Sequence, residues 1–194
     1  MFESRIFRLP KIVLALGLVL VSVLGAQAAS AQVPVTIQTS SGNYLTAVNG
    51  GNMGSPVGVP PNSTAIHTDA QAIGEWEVFN LISLGSSHYA LQTSGGYFLT
   101  AVNGGGIGDP AGMPSNSVPM HTDAHAAGVW ETFNLISLGC NKVALQTADG
   151  RYVSAVGGGG QAEPPGFAAN SWPLHTNAVW IGGWETFKIN FFAQ

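Results

Sequence analysis

The chain has 194 residues, a formal net charge of −4 and only 8% charged residues, against 45% hydrophobic. Its Lys and Arg residues number six, and three of them stand in the first eleven positions, so it lacks the basic face that nucleic acid or an anionic membrane requires. A single cysteine, Cys140, excludes an internal disulfide and leaves a buried thiol or an intermolecular bond as its uses.

Arg5, Arg8 and Lys11 precede an apolar run from Ile12 to Ala26, and the small-residue sequences Ala26-Gln27-Ala28 and Ala29-Ser30-Ala31 follow. The run falls short of the ~20 residues of a membrane span. Its basic start and small-residue end fit a secretory signal peptide. Residues 1–31 are therefore expected to be a leader, cleaved after Ala31 or, at the other fitting position, after Ala28. The mature protein is then secreted, extracellular or periplasmic. It carries Lys142, Arg151 and Lys188 against nine acidic residues, a net charge of −6. No nucleic acid and no membrane are expected among its partners.

From about residue 33 the chain repeats itself. Gln92-Thr93-Ser94-Gly95-Gly96-Tyr97-Phe98-Leu99-Thr100-Ala101-Val102-Asn103-Gly104-Gly105 recurs 54 positions earlier from Gln38 to Gly51, and 54 positions later from Gln146. The register holds without a gap: His67, His121 and His175 share it, as do Trp76, Trp130 and Trp184. Three copies, about 33–86, 87–140 and 141–194, make one domain, 32–194.

Within a copy, no stretch keeps a helical apolar period, and short alternating runs predict β-structure. In the second copy, Tyr89 to Thr93 reads as a first strand and Ser94-Gly95-Gly96 as a tight turn. Tyr97 to Val102 is a second strand, rich in aromatic and β-branched residues. A long Gly/Pro/Asn stretch covers 103–118, with counterparts at 49–64 and 157–172. Pro119 to Asp123 is a third strand and Trp130 to Leu138 a fourth, and Gly139-Cys140-Asn141 turns into the next copy. Three four-stranded units fit either a three-bladed propeller or a β-trefoil. Propellers typically have four or more blades, so the trefoil is the better solution. In it, six strands close a barrel, three hairpins cap one end, and few strand edges stay exposed.

The pattern Ala-Leu-Gln-Thr, a turn, Gly-x-Tyr-Leu-Thr/Ser-Ala and later Trp-Glu-x-Phe resembles the repeats of fascin-like β-trefoils. It is clearest at Ala90 to Ala101 with Trp130-Glu131-Thr132-Phe133, and at Ala144 to Ala155 with Trp184-Glu185-Thr186-Phe187. The resemblance implies the trefoil fold. It also implies one of two roles: actin-crosslinking-like protein binding, or a secreted carbohydrate-binding module. A single trefoil with a leader and few basic residues departs from the actin-bundling members.

Trp76, Trp130 and Trp184, with Phe79, Phe133 and Phe187, recur in every copy, and we read them as core. Trp172 and Trp180 have no aromatic counterparts: Thr64 and Val118 stand for the first, Ala72 and Ala126 for the second. They are the candidates for an exposed sugar-stacking platform. Glu77, Glu131 and Glu185 occur one per copy. A glycosidase pair would break the symmetry, so they read as acceptors for turn N–H groups rather than as catalysts.

The repeated polar set is His67-Thr68-Asp69, His121-Thr122-Asp123 and His175-Thr176-Asn177. Three uses remain open at this point: a histidine bonded to the neighbouring hairpin, a ligand site in each copy, or a metal on the three-fold axis. The long loops add Asn49 and Asn103, Asp109 and Glu163, and the shared Asn62, Asn116 and Asn170 as rims. Asn62-Ser63-Thr64 is a formal glycosylation sequence. The third copy has Asn177 for the aspartate and Gly157 for Asn49 and Asn103, so it is expected to behave differently.

No nucleophile elbow, P-loop, HExxH or dinucleotide fingerprint occurs, and no cofactor and no catalysis are expected. The sequence points to a non-catalytic, lectin-like module for a polysaccharide or glycan, with up to three related sites. A protein-binding role and a metal- or pH-responsive trefoil are the alternatives.

Overall fold

The computed structural model describes residues 32–54, 64–108, 118–162 and 172–192. The leader, the Asn62-Ser63 part of the glycosylation sequence, and Asp109, Asn116, Glu163 and Asn170 lie outside them.

Four strands form in each copy. The first copy has β1 (Gln32–Gln38), β2 (Tyr44–Ala47), β3 (Ile66–Ala70) and β4 (Phe79–Gly85). The second has β5 (His88–Gln92), β6 (Phe98–Ala101), β7 (Met120–Ala124) and β8 (Phe133–Gly139). The third has β9 (Lys142–Gln146), β10 (Tyr152–Ala155), β11 (Leu174–Ala178) and β12 (Phe187–Phe191). The first and last strands of the copies pair in a closed antiparallel ring, β1-β4-β5-β8-β9-β12 and back to β1. The middle strands form the hairpins β2–β3, β6–β7 and β10–β11, which meet one another at one end. This is the β-trefoil, and closure of the ring satisfies the edges of six strands.

The period-2 alternation explains the core. Ile37, Leu91 and Leu145 form one buried set, and Leu45, Leu99 and Val153 another. Phe79, Phe133 and Phe187 are 0–1% exposed and each ring contributes ~2–3 kcal/mol by leaving water. The fourth strand starts later than the sequence predicts. Residues 75–77 form a 3-10 turn, and the ladder begins only at the phenylalanine.

Part of each long loop is built into the fold. Asn52 and Met53 pair with Thr122 through the backbone: Thr122 N–H donates to Met53 O at 2.8 Å, and Asn52 N–H to Thr122 O at 2.7 Å. The same pairing joins Ile107 to Thr176 and Gln161 to Thr68. Each copy's loop thus adds a short rung to the third strand of the next copy, around the whole three-fold. Cys140 is exposed at the two-residue turn between β8 and β9, with φ +50, so of the two uses the sequence left open the buried thiol does not apply.

Candidate functional site

The segment after the third strand builds the same device in each copy. Glu77 is buried, and its carboxylate is fully used: Oε2 accepts Gly74 N–H at 2.7 Å and Oε1 accepts the Thr46 hydroxyl at 2.7 Å. Glu131 does this with Gly128 and Thr100, each at 2.8 Å. Glu185 does it with Gly182 at 2.8 Å and with the Ser154 hydroxyl. As the sequence suggests, these carboxylates are structural acceptors. They close a tight turn and fasten it to the second strand.

That turn lifts the preceding tryptophan out of the core. Trp76, Trp130 and Trp184 are 43%, 46% and 50% exposed, which corrects their assignment to the core. The physical reason is the turn that holds the tryptophan, 3-10 at Glu75–Glu77 and a plain turn at 130–131 and 184–185, which keeps this residue out of the strand alternation. Each indole lies against a glycine. A Cβ on Gly50, Gly104 or Gly158 would stand 3.8, 3.5 and 3.8 Å from the indole Cδ1 of Trp76, Trp130 and Trp184. The carbonyls of these glycines accept Gly95, Asp149 and Ser41 N–H of the next copy at 2.9, 3.0 and 3.0 Å. Every indole therefore sits on a seam between copies, with Ser94, Ala148 or Ser40 beside its glycine. At the seam of the second and third copies, a groove of about 330 Å³ opens among Val129, Thr132, Asn134, Gln146, Ala148 and Gly150, and Trp130 itself does not line it.

The two unique tryptophans part company. Trp180 is 75% exposed, as its lack of counterparts suggested. Trp172 is 6% exposed, so it is no exposed platform. It joins Thr64 and Val118 around the axis of the hairpin cap, where a cavity of about 10 Å³ remains. It has no aromatic counterpart because a single indole fills the space on an axis that three side chains share.

The His-Thr-Asp segments lie on β3, β7 and β11. His67, His121 and His175 pair across their hairpins with Thr46, Thr100 and Ser154. The central threonines are fully buried, and their hydroxyls and backbones hold the incoming loop: Ile107 N–H donates to Thr176 Oγ1 at 3.1 Å, and Gln161 N–H to Thr68 Oγ1 at 3.1 Å. Asp69 and Asp123 are about half exposed, with Oδ1 at 4.0 and 3.8 Å from Nδ1 of His67 and His121. Burial pushes the His121 pKa below its ordinary value, and the Asp123 charge opposes that shift. Asn177 takes the place of the aspartate and stands against Gly108, as Asp123 stands against Gly54. Among the described residues, no three His, Cys, Asp or Glu side chains gather as a metal site.

Asn49 and Asn103 are exposed at φ +56 and +57, and Gly157 takes φ +67 at the same place. Asparagine and glycine are the residues that tolerate this left-handed backbone, so the exchange in the third copy preserves its conformation.

No family model matches the chain, and no curated protein does. Solved structures are similar to it. A designed 3-fold symmetric protein, ThreeFoil, superposes with a TM-score of 0.60 at 13% identity, over 80% of this chain and 96% of that one. The Rhizoctonia solani agglutinin does so with 0.56 at 17% identity, over 87% and 100%. An exo-beta-1,3-galactanase from Clostridium thermocellum is matched with 0.54 at 12% identity, over 82% of this chain but 30% of the enzyme. At these identities the likeness is one of fold, and it agrees with the ring and cap found here: the chain is a β-trefoil.

Proposed function

We propose that this chain is a secreted, non-catalytic carbohydrate-binding module, with up to three related sites centred on Trp76, Trp130 and Trp184. The observation that carries the reading is the ring of half-exposed indoles, each fixed by a buried glutamate and lying on a glycine at a seam between copies. An indole face accepts the C–H face of a sugar ring, and its amphipathic character suits a ligand that is apolar on one side and wet on the other. Ser94 and Ser40, beside the glycines under Trp76 and Trp184, supply neutral donors and acceptors for hydroxyls. The fold likeness to an agglutinin, and to part of a galactanase, supports the same reading. The recurring carboxylates are engaged in turns, which supports a module without its own hydrolytic pair. Three weak sites on one rigid body would hold a polymeric glycan far more tightly than a free sugar. The basic-apolar-small leader supports export.

The test is a glycan and insoluble-polysaccharide screen on the purified protein. A variant carrying Trp76→Ala, Trp130→Ala and Trp184→Ala stands beside one carrying His67→Ala, His121→Ala and His175→Ala. Binding lost in the tryptophan variant at a retained fold supports the proposal. Binding lost only in the histidine variant moves the site to the His-Thr-Asp segments. No binding across the screen overturns the proposal in favour of a protein partner, for which the exposed Val179 and Trp180 would be the contact.

A further inference from the structure

On the outer face of the barrel, each seam between copies presents a row of three cross-strand neighbours. At the first seam the row is Gln92, Asn80 and Pro34. At the second it is Gln146, Asn134 and His88. At the third, where the last copy closes on the first, it is Gln38, Lys188 and Lys142. Two of the three basic residues of the described chain thus stand directly opposite each other on neighbouring strands, both exposed. Like charges so placed repel and destabilise the pair. The ion pairs among the described residues involve Arg151, His67 and His121, and neither lysine takes part in one.

The second rung of the third seam has changed as well. Where the sister seams pair Ile82 with Ala90 and Ile136 with Ala144, this one pairs Asn190 with Thr36. Asn190 Nδ2 donates to Thr36 Oγ1 at 3.4 Å and to Gln38 Oε1 at 3.3 Å, which holds both amides in place. A groove of about 280 Å³ lies over this face, with Lys188, Gln38 and Asn190 on its polar side and Tyr44, Ile73 and Phe191 on its apolar side. At three positions of this seam the side chain is more polar than at both sister positions (Thr36 for alanine, Asn190 for isoleucine) or charged where they are neutral (Lys188 for asparagine), and all three line one groove. Packing alone does not require them, because the sister seams close without them.

We propose that this third seam is a separate subsite for an acidic sugar, one bearing a carboxylate or sulfate. Lys188 in the groove takes the anionic group, with Lys142, its cross-strand neighbour outside the groove lining, adding its charge from beside it; Gln38 and Asn190 take the hydroxyls, and Tyr44 with Phe191 the ring. The inference rests on the carbohydrate-binding reading above and adds a charge preference that the tryptophan sites do not have. A long polyanion such as nucleic acid is disfavoured by the acidic remainder of the molecule. A single anionic group beside two adjacent lysines is not, because at physiological salt the remaining charges are screened beyond about 8 Å.

The experiment is calorimetric titration of the purified protein with a uronic-acid oligosaccharide, its carboxyl-reduced neutral counterpart, and inorganic sulfate. Lys188→Asn and Lys142→Gln are compared with the parent. Lys188→Asn installs the residue of both sister seams and removes a repulsion, so its melting temperature should be equal or higher. The acidic oligosaccharide is expected to bind more tightly than the neutral one, and each substitution to weaken it about fivefold, an effect that shrinks with added salt. The neutral counterpart should be weakened less than the acidic one. Equal affinities for the acidic and neutral sugars, or no loss in either variant, overturn the subsite and leave the tryptophan sites standing. Sulfate binding as tight as the oligosaccharide overturns the sugar assignment. Absence of binding by either oligosaccharide overturns the subsite, while the tryptophan sites stand or fall with the polysaccharide screen above.

Discussion

Gly104 and Trp130 are packed floor to edge: a Cβ at position 104 would lie 3.5 Å from the indole Cδ1 and 3.8 Å from its Nε1. The glycine sets how low the indole can sit, and Glu131 sets where its backbone turns. About half of the ring remains in water, whereas Phe133, three residues on, is 1% exposed. Trp130→Ala should therefore cost about 1–2 kcal/mol, and Phe133→Ala about 3–5 kcal/mol, since only the second leaves a core cavity. Urea unfolding of the two variants checks the difference. Equal losses would mean that the indole is a core residue after all.

The buried carboxylate beneath each platform makes a second prediction. Glu131→Ala leaves the Thr100 hydroxyl and Gly128 N–H without their acceptor, at a cost of about 2–3 kcal/mol. It should also release Trp130. Indole fluorescence of a Trp130-only variant, which reads this one ring, should shift to the red and become more accessible to quencher when Glu131 is replaced. Unchanged fluorescence would mean that the glutamate stabilises the turn without positioning the ring.

These residues show how far the sequence could be read. The 54-residue register and the strand alternation were enough for the trefoil, because a three-fold core needs the same apolar positions in every copy, and Phe79, Phe133 and Phe187 fill them. The tryptophans follow the same register, and repetition alone does not separate a core ring from an exposed one. The separating signal is local: a glycine two residues before the tryptophan and a glutamate directly after it, which form a turn where a strand was expected. Trp172 was misread for the converse reason, since a residue on the axis needs no symmetric counterpart. The third-seam lysines were visible only as members of a short list of basic residues, and strand pairing was needed to place them side by side.

His121 gives a pH prediction. Its folded pKa lies below its ordinary value, first because burial disfavours the charged ring, with Asp123 partly offsetting this. The unfolded chain therefore takes up a proton at a higher pH than the folded one does. Stability is full above the unfolded value of 6.5 and declines as pH falls from there through the folded pKa. Asp123→Asn removes the opposing charge, so it should lower the His121 pKa further and widen that window. NMR titration of the imidazole, with melting curves between about pH 7.5 and 5, reads both effects. A rise in the His121 pKa in the variant would show that the geometry, not the charge, of Asp123 matters.

Asn49, Asn103 and Gly157 supply the last test, which separates backbone need from ligand contact. All three occupy the left-handed region, at φ +56, +57 and +67. A Cβ at Gly157 would meet only the flexible end of Gln161 at 3.4 Å. Gly157→Asn should therefore fit, and the loss of unfolded-state freedom should stabilise the protein by up to about 0.5 kcal/mol. Gly157→Val should destabilise it by about 1–2 kcal/mol, because a β-branched residue is strained there. Asn103→Gly should lose a few tenths of a kcal/mol and leave glycan binding unchanged. If Asn103→Gly instead abolished binding while the melting temperature held, the asparagine side chain would be a ligand contact, and the third copy, with Gly157, would lack a site that the other two possess.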